Sequence, residues 1–169
     1  MIGPLHQSLS SRVASLRALL SLTGLAVLLL AGCEAHDETP SRFRSSYHQG
    51  DYEVGLGYSQ AVKVGKTIYI SMTLPVDQQG QLIAPDDMAG QLGAVYTNLA
   101  TTLKANGAAF EHVAVERIYT TDMPALLKLA DQRLKVYSKD SLPAASFIEV
   151  KHLADPGFLV GVEVVAELP

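Results

Sequence analysis

The sequence contains a single cysteine, Cys33, so no disulfide can form within one chain. Only two of its five histidines, His112 and His152, lie beyond residue 50, and no cysteine lies there. No group of His, Asp and Glu residues has the spacing of a metal site. The sequence also lacks a dinucleotide-binding glycine fingerprint and a Gly-x-Ser-x-Gly nucleophile motif. We therefore expect neither a metal nor a cofactor.

Clusters of basic residues are also absent. The chain has 13 Lys and Arg against 17 Asp and Glu, a formal charge of −4. Two of the basic residues, Arg12 and Arg17, lie in the first 32 residues, which contain no acidic residue, so the remainder has 11 basic against 17 acidic residues, or −6. Because binding to a phosphate backbone requires clustered Lys and Arg, this composition disfavours a nucleic-acid partner.

Residues 1–32 have the pattern of an export signal. Two arginines precede the apolar run Ala18–Gly32, which is too short for a comfortable membrane span. The run ends in the sequence LAGC at residues 30–33, which resembles the lipobox of bacterial lipoproteins. The alternative is that Cys33 follows a cleavage site by chance. We expect cleavage, lipidation of Cys33 and an envelope protein that faces the periplasm, and Glu34 in the next position favours the outer membrane.

Residues 33–50 are polar, carry charges of both signs and have no apolar period that could build a core. We interpret them as the lipidated cysteine followed by a flexible tether. Residues 51–169 then form one folded domain, which is long enough for a single core.

The domain alternates between strand-like and helix-like periods. Val54–Val64 and Thr67–Leu74 are rich in β-branched and aromatic residues and predict a hairpin. Two amphipathic helical stripes follow, Met88–Leu103 and Leu126–Tyr137, and the first precedes a strand at Val113–Thr121. Two final strands are predicted at Ala145–Val150 and Phe158–Glu167. The order ββαβαββ predicts an α+β fold with a mixed sheet and both helices on one face.

Several segments together resemble one family. They are GYSQAV at 57–62, SMTLPVD at 71–77, TTDM at 120–123, PAAS at 143–146 and VEVVA at 162–166. In this order they resemble the RidA (YjgF) family of imine deaminases, some members of which carry an L-PSP endoribonuclease label. The resemblance implies a chorismate-mutase-like fold and a homotrimer with ligand clefts between subunits. The charge of this chain gives the endoribonuclease label no electrostatic support.

The resemblance also implies candidate site residues. Glu163 matches an acidic residue proposed to orient water or move its proton, and Tyr58 and Ser71 match residues that line the cleft. From the residues alone, Glu163 is equally an outward-facing strand charge, and Tyr58 a strand tyrosine packed on a neighbour. Where the family has Pro-Ala-Arg-Ser, this chain has Ala145 before Ser146, so the arginine that grips the substrate carboxylate is missing.

The missing guanidinium has two interpretations. In the first, the site is retuned for a ligand without a carboxylate or has lost catalysis; in the second, Arg117, Lys151 or Arg133 compensates. The usual Gly-Gln after the family serine is Met72-Thr73 here, which together with Ala145 predicts a more apolar pocket.

These observations predict a lipid-anchored RidA-like protein that binds a small metabolite in clefts between subunits and hydrolyses imines weakly or not at all. The first alternative is an active 2-iminobutanoate/2-iminopropanoate deaminase, or a related C–N hydrolase. The second is a partner-binding protein at the membrane surface.

Overall fold

The computed structural model describes residues 44–169. The predicted export signal, Cys33 and most of the predicted tether lie outside the described residues. Within 44–169 no helix is both long and apolar enough to cross a membrane. The elements in this part of the chain are β1 (Arg44–Tyr47), α1 (Asp51–Gly55), β2 (Ala61–Val64), β3 (Thr67–Thr73), α2 (Met88–Ala105), a 3-10 turn (Phe110–His112), β4 (Val113–Thr120), α3 (Met123–Leu127), α4 (Ala130–Leu134), β5 (Ala144–Glu149) and β6 (Val160–Glu167).

The strands form one mixed sheet in the order β1-β2-β3-β6-β4-β5. The β4 and β5 strands run parallel, and every other neighbouring pair is antiparallel. Between β3 and β6 the register shifts between Ile70 and Thr73, so Ser71 and Met72 together lie opposite Glu163. This β-bulge lies beside the candidate site residues Ser71 and Glu163.

Helix α2 covers one face of the sheet because its apolar residues recur every three or four positions. The Asp87 carboxylate caps the helix by accepting a hydrogen bond from the Ala89 N–H, and Gly107 follows its end at a φ of +78°. The helix packs on β3 and β6. Full burial of each leucine contributes about 1.5–3 kcal/mol. The fully or nearly fully buried side chains of this stripe are Leu92, Val95, Leu99 and Leu103.

The second predicted helix is two short helices. Asp122 caps α3 by accepting from the Ala125 N–H, and the helix ends at Leu127. Leu129 has φ −102° and ψ 17°, outside the helical region, and its side chain packs against the core; α4 then begins at Ala130. Both helices lie on the face that α2 covers, so the predicted α+β fold with helices on one face is confirmed.

Two boundaries differ from the predictions. The strand predicted from Val54 begins only at Ala61, because Asp51–Gly55 forms α1 and Gly57 turns the chain at a φ of +79°. The predicted tether, 33–50, extends too far, because Arg44–Tyr47 forms β1 and pairs with β2 along its full length. The sheet therefore begins before residue 51.

Candidate functional site

Strand alternation assigns the candidate residues to two faces of the sheet. Val162 and Val164 are fully buried under α2, so Glu163 between them lies on the opposite face, which we call the open face. The register places Arg117 of β4 beside Glu163 of β6, and Ser146 of β5 beside Arg117. These three residues form one row across three adjacent strands. The side covered by α2 is called the helix face.

Both carboxylate oxygens of Glu163 have a donor. Arg117 Nη1 lies 2.9 Å from Oε1, and the Tyr119 hydroxyl donates to Oε2 at 3.2 Å. The Arg117 and Glu163 side chains are 40% and 35% exposed, so the pair is accessible from the open face. Burial raises the pKa of Tyr119, the negative charge of Glu163 raises it further, and Arg117 opposes this. Within one chain, Glu163 is thus an outward-facing strand charge that has already acquired two partners.

Ala145 lies on the helix face, one residue away from Ser146 and on the other side of the sheet. Its partner across the strands is Glu116. Ala145 is exposed and offers only a methyl group. Of the cations that could compensate, Arg117 is engaged by Glu163 and Arg133 by Glu116, while Lys151 is exposed beyond the end of β5.

Glu116 is the centre of a buried network that the sequence did not reveal. Its side chain is fully buried and accepts from the hydroxyls of Tyr96 and Tyr137, at 2.9 and 3.0 Å, and from Arg133 Nε at 2.7 Å. The Arg133 guanidinium lies over the rings of Tyr137 and Phe147, 5.2 and 5.6 Å from their centroids. Burial is the main cause that raises the pKa values of Tyr96 and Tyr137, followed by the charge of Glu116.

One signal for this network was present in the sequence. Glu116 lies two residues before the core residue Ile118 of β4, and Arg133 lies within the apolar stripe of the second helical segment. A charge on a core-facing stripe indicates that it needs a partner, because an isolated buried charge is strongly unfavourable, but the stripes do not identify that partner. Beside this pair, Phe147 and leucines of α3 and α4 line an apolar cavity of about 120 Å³.

Tyr58 and Ser71 lie together in an open cleft of about 460 Å³. The Ser71 hydroxyl donates to the Ser59 carbonyl at 2.9 Å. Burial raises the pKa of Tyr58, and the nearby charge of Glu53 adds to the effect. Much of the lining is polar, and Met72, Thr73 and Ala145, from which a more apolar pocket was predicted, are not part of it. The lining consists of Arg44, His48, Val54, Gly57, Tyr58, Ser59, Val62 and Ser71.

The Met72 side chain lies on the sheet beside the candidate residues. It packs against Gly161 of β6, where a larger residue would require the methionine side chain to move, because a Cβ at this position would lie 2.8 Å from Met72 Cγ. Glycine at 161 therefore provides the space that methionine at 72 occupies.

The structure does not unite all candidates in one chain. Ser71 on β3 and Ser146 on β5 are separated by three strand spacings, or about 14 Å at roughly 4.8 Å per strand. Tyr58 and Ser71 share the cleft, Glu163 and Ser146 share a row through Arg117, and Ala145 lies on the other face. Within residues 44–169 no cluster of His, Cys, Asp and Glu could hold a metal ion.

Comparison with known proteins assigns the family. A RutC family protein of Sulfurisphaera tokodaii is 33% identical over 96 residues, which are 57% of this chain and 76% of the relative. The 2-iminobutanoate/2-iminopropanoate deaminase of Bos taurus is 33% identical over 100 residues, 59% of this chain and 72% of the relative. A crystal structure of a YjgF family member from Mycobacterium tuberculosis matches with a TM-score of 0.64 and 28% identity, covering 74% of this chain and 99% of that chain. The family model described as Endoribonuclease L-PSP matches residues 53–168, and the chain therefore belongs to this family, the RidA/YjgF family.

Proposed function

We propose that the protein binds a small metabolite in clefts between copies of its RidA-like domain and hydrolyses imines only weakly. The observation that carries this proposal is the absence of an unengaged guanidinium around position 145 in the described chain. Ala145 contributes a methyl group, Arg117 is engaged by Glu163, and Arg133 by Glu116. A substrate carboxylate at this position would lack the bidentate partner that arginine provides, and two lost charge-assisted hydrogen bonds correspond to about 3 kcal/mol or more.

The state of Glu163 supports the same function. For the carboxylate to orient a water molecule, an oxygen must accept a hydrogen bond from that water. Here Oε1 already accepts from Arg117 and Oε2 from Tyr119. A water can still use the second lone pair of either oxygen, but the positive charge of Arg117 beside Oε1 opposes proton transfer from that water to the carboxylate, which weakens general-base catalysis of water addition to a C=N bond.

The division of the candidate residues supports a homotrimer with clefts between subunits. Because Tyr58 and Ser71 share a cleft on the β1–β3 side of the sheet and Ala145 and Ser146 lie on the edge strand β5, three strand spacings from β3, a site that combines them requires a second copy. The open face also leaves Tyr69 53% and Val64 45% exposed, and sheets covered on one side bury such residues by association. Light scattering coupled to gel filtration is expected to give three times the chain mass.

Turnover is the direct test of weak hydrolysis. The full protein is assayed on freshly generated 2-iminopropanoate: water adds to the imine carbon, the C–N bond breaks, and the 2-oxo acid and ammonia are released. We expect kcat/KM about a hundredfold below that of a family member with arginine at this position, because about 3 kcal/mol corresponds to a factor of about 100. Equal turnover would refute the proposal.

Ala145→Arg tests the cause. Restoring the guanidinium is expected to raise kcat/KM toward that of the arginine-containing relative. Ala144→Arg is the matched control, because residue 144 is exposed on the same strand but points to the opposite face. Equal gains in the two variants, or none in either, would show that position 145 does not limit turnover.

An active deaminase is the second candidate function. It is favoured by the carboxylate at Glu163 and by the 33% identity to a relative named 2-iminobutanoate/2-iminopropanoate deaminase. If the protein is an active deaminase, the wild type turns over imines as fast as the relatives do, and Glu163→Gln abolishes this turnover. In the weakly active protein the same substitution changes little.

We also propose that the domain is held in the cell envelope by lipid on Cys33. The support is the LAGC sequence at residues 30–33 and the apolar run before it. Labelling with a lipid precursor is expected to mark the wild-type protein and not Cys33→Ala. Labelling of both proteins would exclude this anchor.

A further inference from the structure

The cleft that holds Tyr58 and Ser71 receives two basic side chains from outside the family match. Arg44 belongs to β1 and His48 follows it, whereas the matched family segment begins at residue 53. The β1 strand pairs with β2 so that Arg44 lies opposite Val64 and Ser46 opposite Val62. Strand alternation therefore puts Arg44 on the same open face as Val62 and Ser71.

Arg44 differs from the other arginines near the candidate residues. Arg117 and Arg133 each bind a carboxylate of this chain, at 2.9 Å from Glu163 and against Glu116. Arg44 forms neither an ion pair nor a side-chain hydrogen bond within residues 44–169, and its side chain is exposed at the cleft. A guanidinium in this state retains its donors for a carboxylate ligand.

The rest of the cleft fits a small acid with a polar group beside its carboxylate. The phenol of Tyr58 and the hydroxyl of Ser59 provide hydrogen-bonding partners, the Ser71 hydroxyl can accept although its own proton is donated to the Ser59 carbonyl, and Val54 and Val62 provide apolar contact for a short aliphatic tail. A hydroxyl can donate to a carbonyl oxygen or accept from an imine N–H.

We propose that Arg44 anchors the carboxylate of a small 2-oxo or 2-imino acid in this cleft, so that the acid is bound away from position 145. The proposal rests on the proposed metabolite binding and specifies the ligand class. The carboxylate lies at the β1 side of the cleft, and the oxo or imino group lies toward Tyr58 and Ser71. Ser71 is on β3, beside the strand that carries Glu163. The ligand is thus retained without residue 145.

The test compares two probes of nearly the same shape, of which only one carries the carboxylate charge. Binding of 2-oxobutanoate and of its uncharged amide, 2-oxobutanamide, is measured by calorimetry for the full protein. Arg44→Gln is expected to weaken 2-oxobutanoate binding by about tenfold to a hundredfold, because hydrogen bonds to charged groups contribute about 1.5–3 kcal/mol each. Binding of the amide stays nearly unchanged. Arg44→Lys recovers part of the loss because it retains the charge without the planar fork.

Lys63→Gln is the matched control, because it removes one positive charge from the neighbouring strand but lies on the opposite face. It is expected to leave both affinities unchanged. If Arg44→Gln binds 2-oxobutanoate like the wild type, or weakens both probes equally, the anchoring role of Arg44 is refuted while metabolite binding stands. If the wild type binds neither probe, both proposals fall.

Discussion

Two arginine–glutamate pairs lie on opposite faces of the same strand and differ in almost every physical respect. Glu116 and Arg117 are adjacent in β4, so strand alternation directs them to opposite sides of the sheet. Glu116 is fully buried and receives Arg133 and two tyrosine hydroxyls. Arg117 pairs with Glu163 where both side chains remain about two-fifths and one-third exposed.

This difference indicates that the buried pair stabilises the fold, whereas the exposed pair is available to a ligand or water. The buried carboxylate has donors on both oxygens, and its aromatic neighbours exclude water, so the network holds α4 and α2 to the sheet. The exposed pair can exchange its partners with water or a ligand, since solvent screens its attraction. Exchange of partners is therefore expected at the exposed Arg117–Glu163 pair, and a contribution to stability at the buried Glu116–Arg133 pair.

Breaking the buried pair has the largest expected effect. Arg133→Ala leaves the Glu116 carboxylate buried without a cation, and loss of one partner of such a pair costs about 3–5 kcal/mol. Urea denaturation is expected to show this decrease in unfolding free energy. The matched variant Arg117→Ala, one residue from Glu116 in β4, is expected to lose less than about 1 kcal/mol. Similar losses in the two variants would contradict the distinction between the faces.

The buried network also predicts how stability depends on alkaline pH. The pKa values of Tyr96 and Tyr137 are raised in the folded protein from an ordinary value of 10.0, chiefly by burial and by Glu116. Below that value both tyrosines are neutral in the folded and unfolded states, and their stabilising contribution is complete. Above it the unfolded chain loses these protons first, so the free energy of unfolding falls as pH rises through about 10 and beyond.

Urea midpoints measured between about pH 8 and 11 test this direction. Tyr96→Phe is expected to lower stability near neutrality, because Glu116 loses a donor, and to make the alkaline decline shallower. Tyr69→Phe, on the exposed open face, serves as the control and is expected to keep the wild-type slope. A Tyr96→Phe slope identical to that of the wild type would remove Tyr96 from the network.

The sequence predicts the regular parts of this comparison and misses the parts that depend on long-range pairing. The stripe of α2 follows from spacing alone, and the alternation of Val162, Glu163 and Val164 predicts that the glutamate points away from the core. The pairing of Glu116 with Arg133 depends on how α4 docks on β4, which no local period encodes. The break between α3 and α4 at Leu129 directly precedes the docked helix.

The β1 strand is the element that the sequence failed to predict and that matters most for the candidate site. Arg44–Tyr47 has the sequence RSSY, which has no apolar alternation, and its location in a polar segment suggested a tether. It becomes a strand because the edge of β2 presents backbone groups that a neighbouring chain segment can satisfy. The same segment supplies Arg44 to the cleft, so the wrong boundary also left this arginine out of the predicted site residues.

The smallest expected effect on stability comes from Arg117→Gln, and it is the sharpest test of the open face. Removing the cation takes away the positive charge that opposes proton transfer to the Glu163 carboxylate, so turnover of 2-iminopropanoate is expected to rise several-fold while the free energy of unfolding changes by less than about 1 kcal/mol. Arg117→Lys, which retains the charge, is expected to resemble the wild type. If turnover falls in Arg117→Gln instead, Arg117 binds the substrate and does not restrain the glutamate. A loss of stability as large as that of Arg133→Ala would mean that the exposed pair is as structural as the buried one.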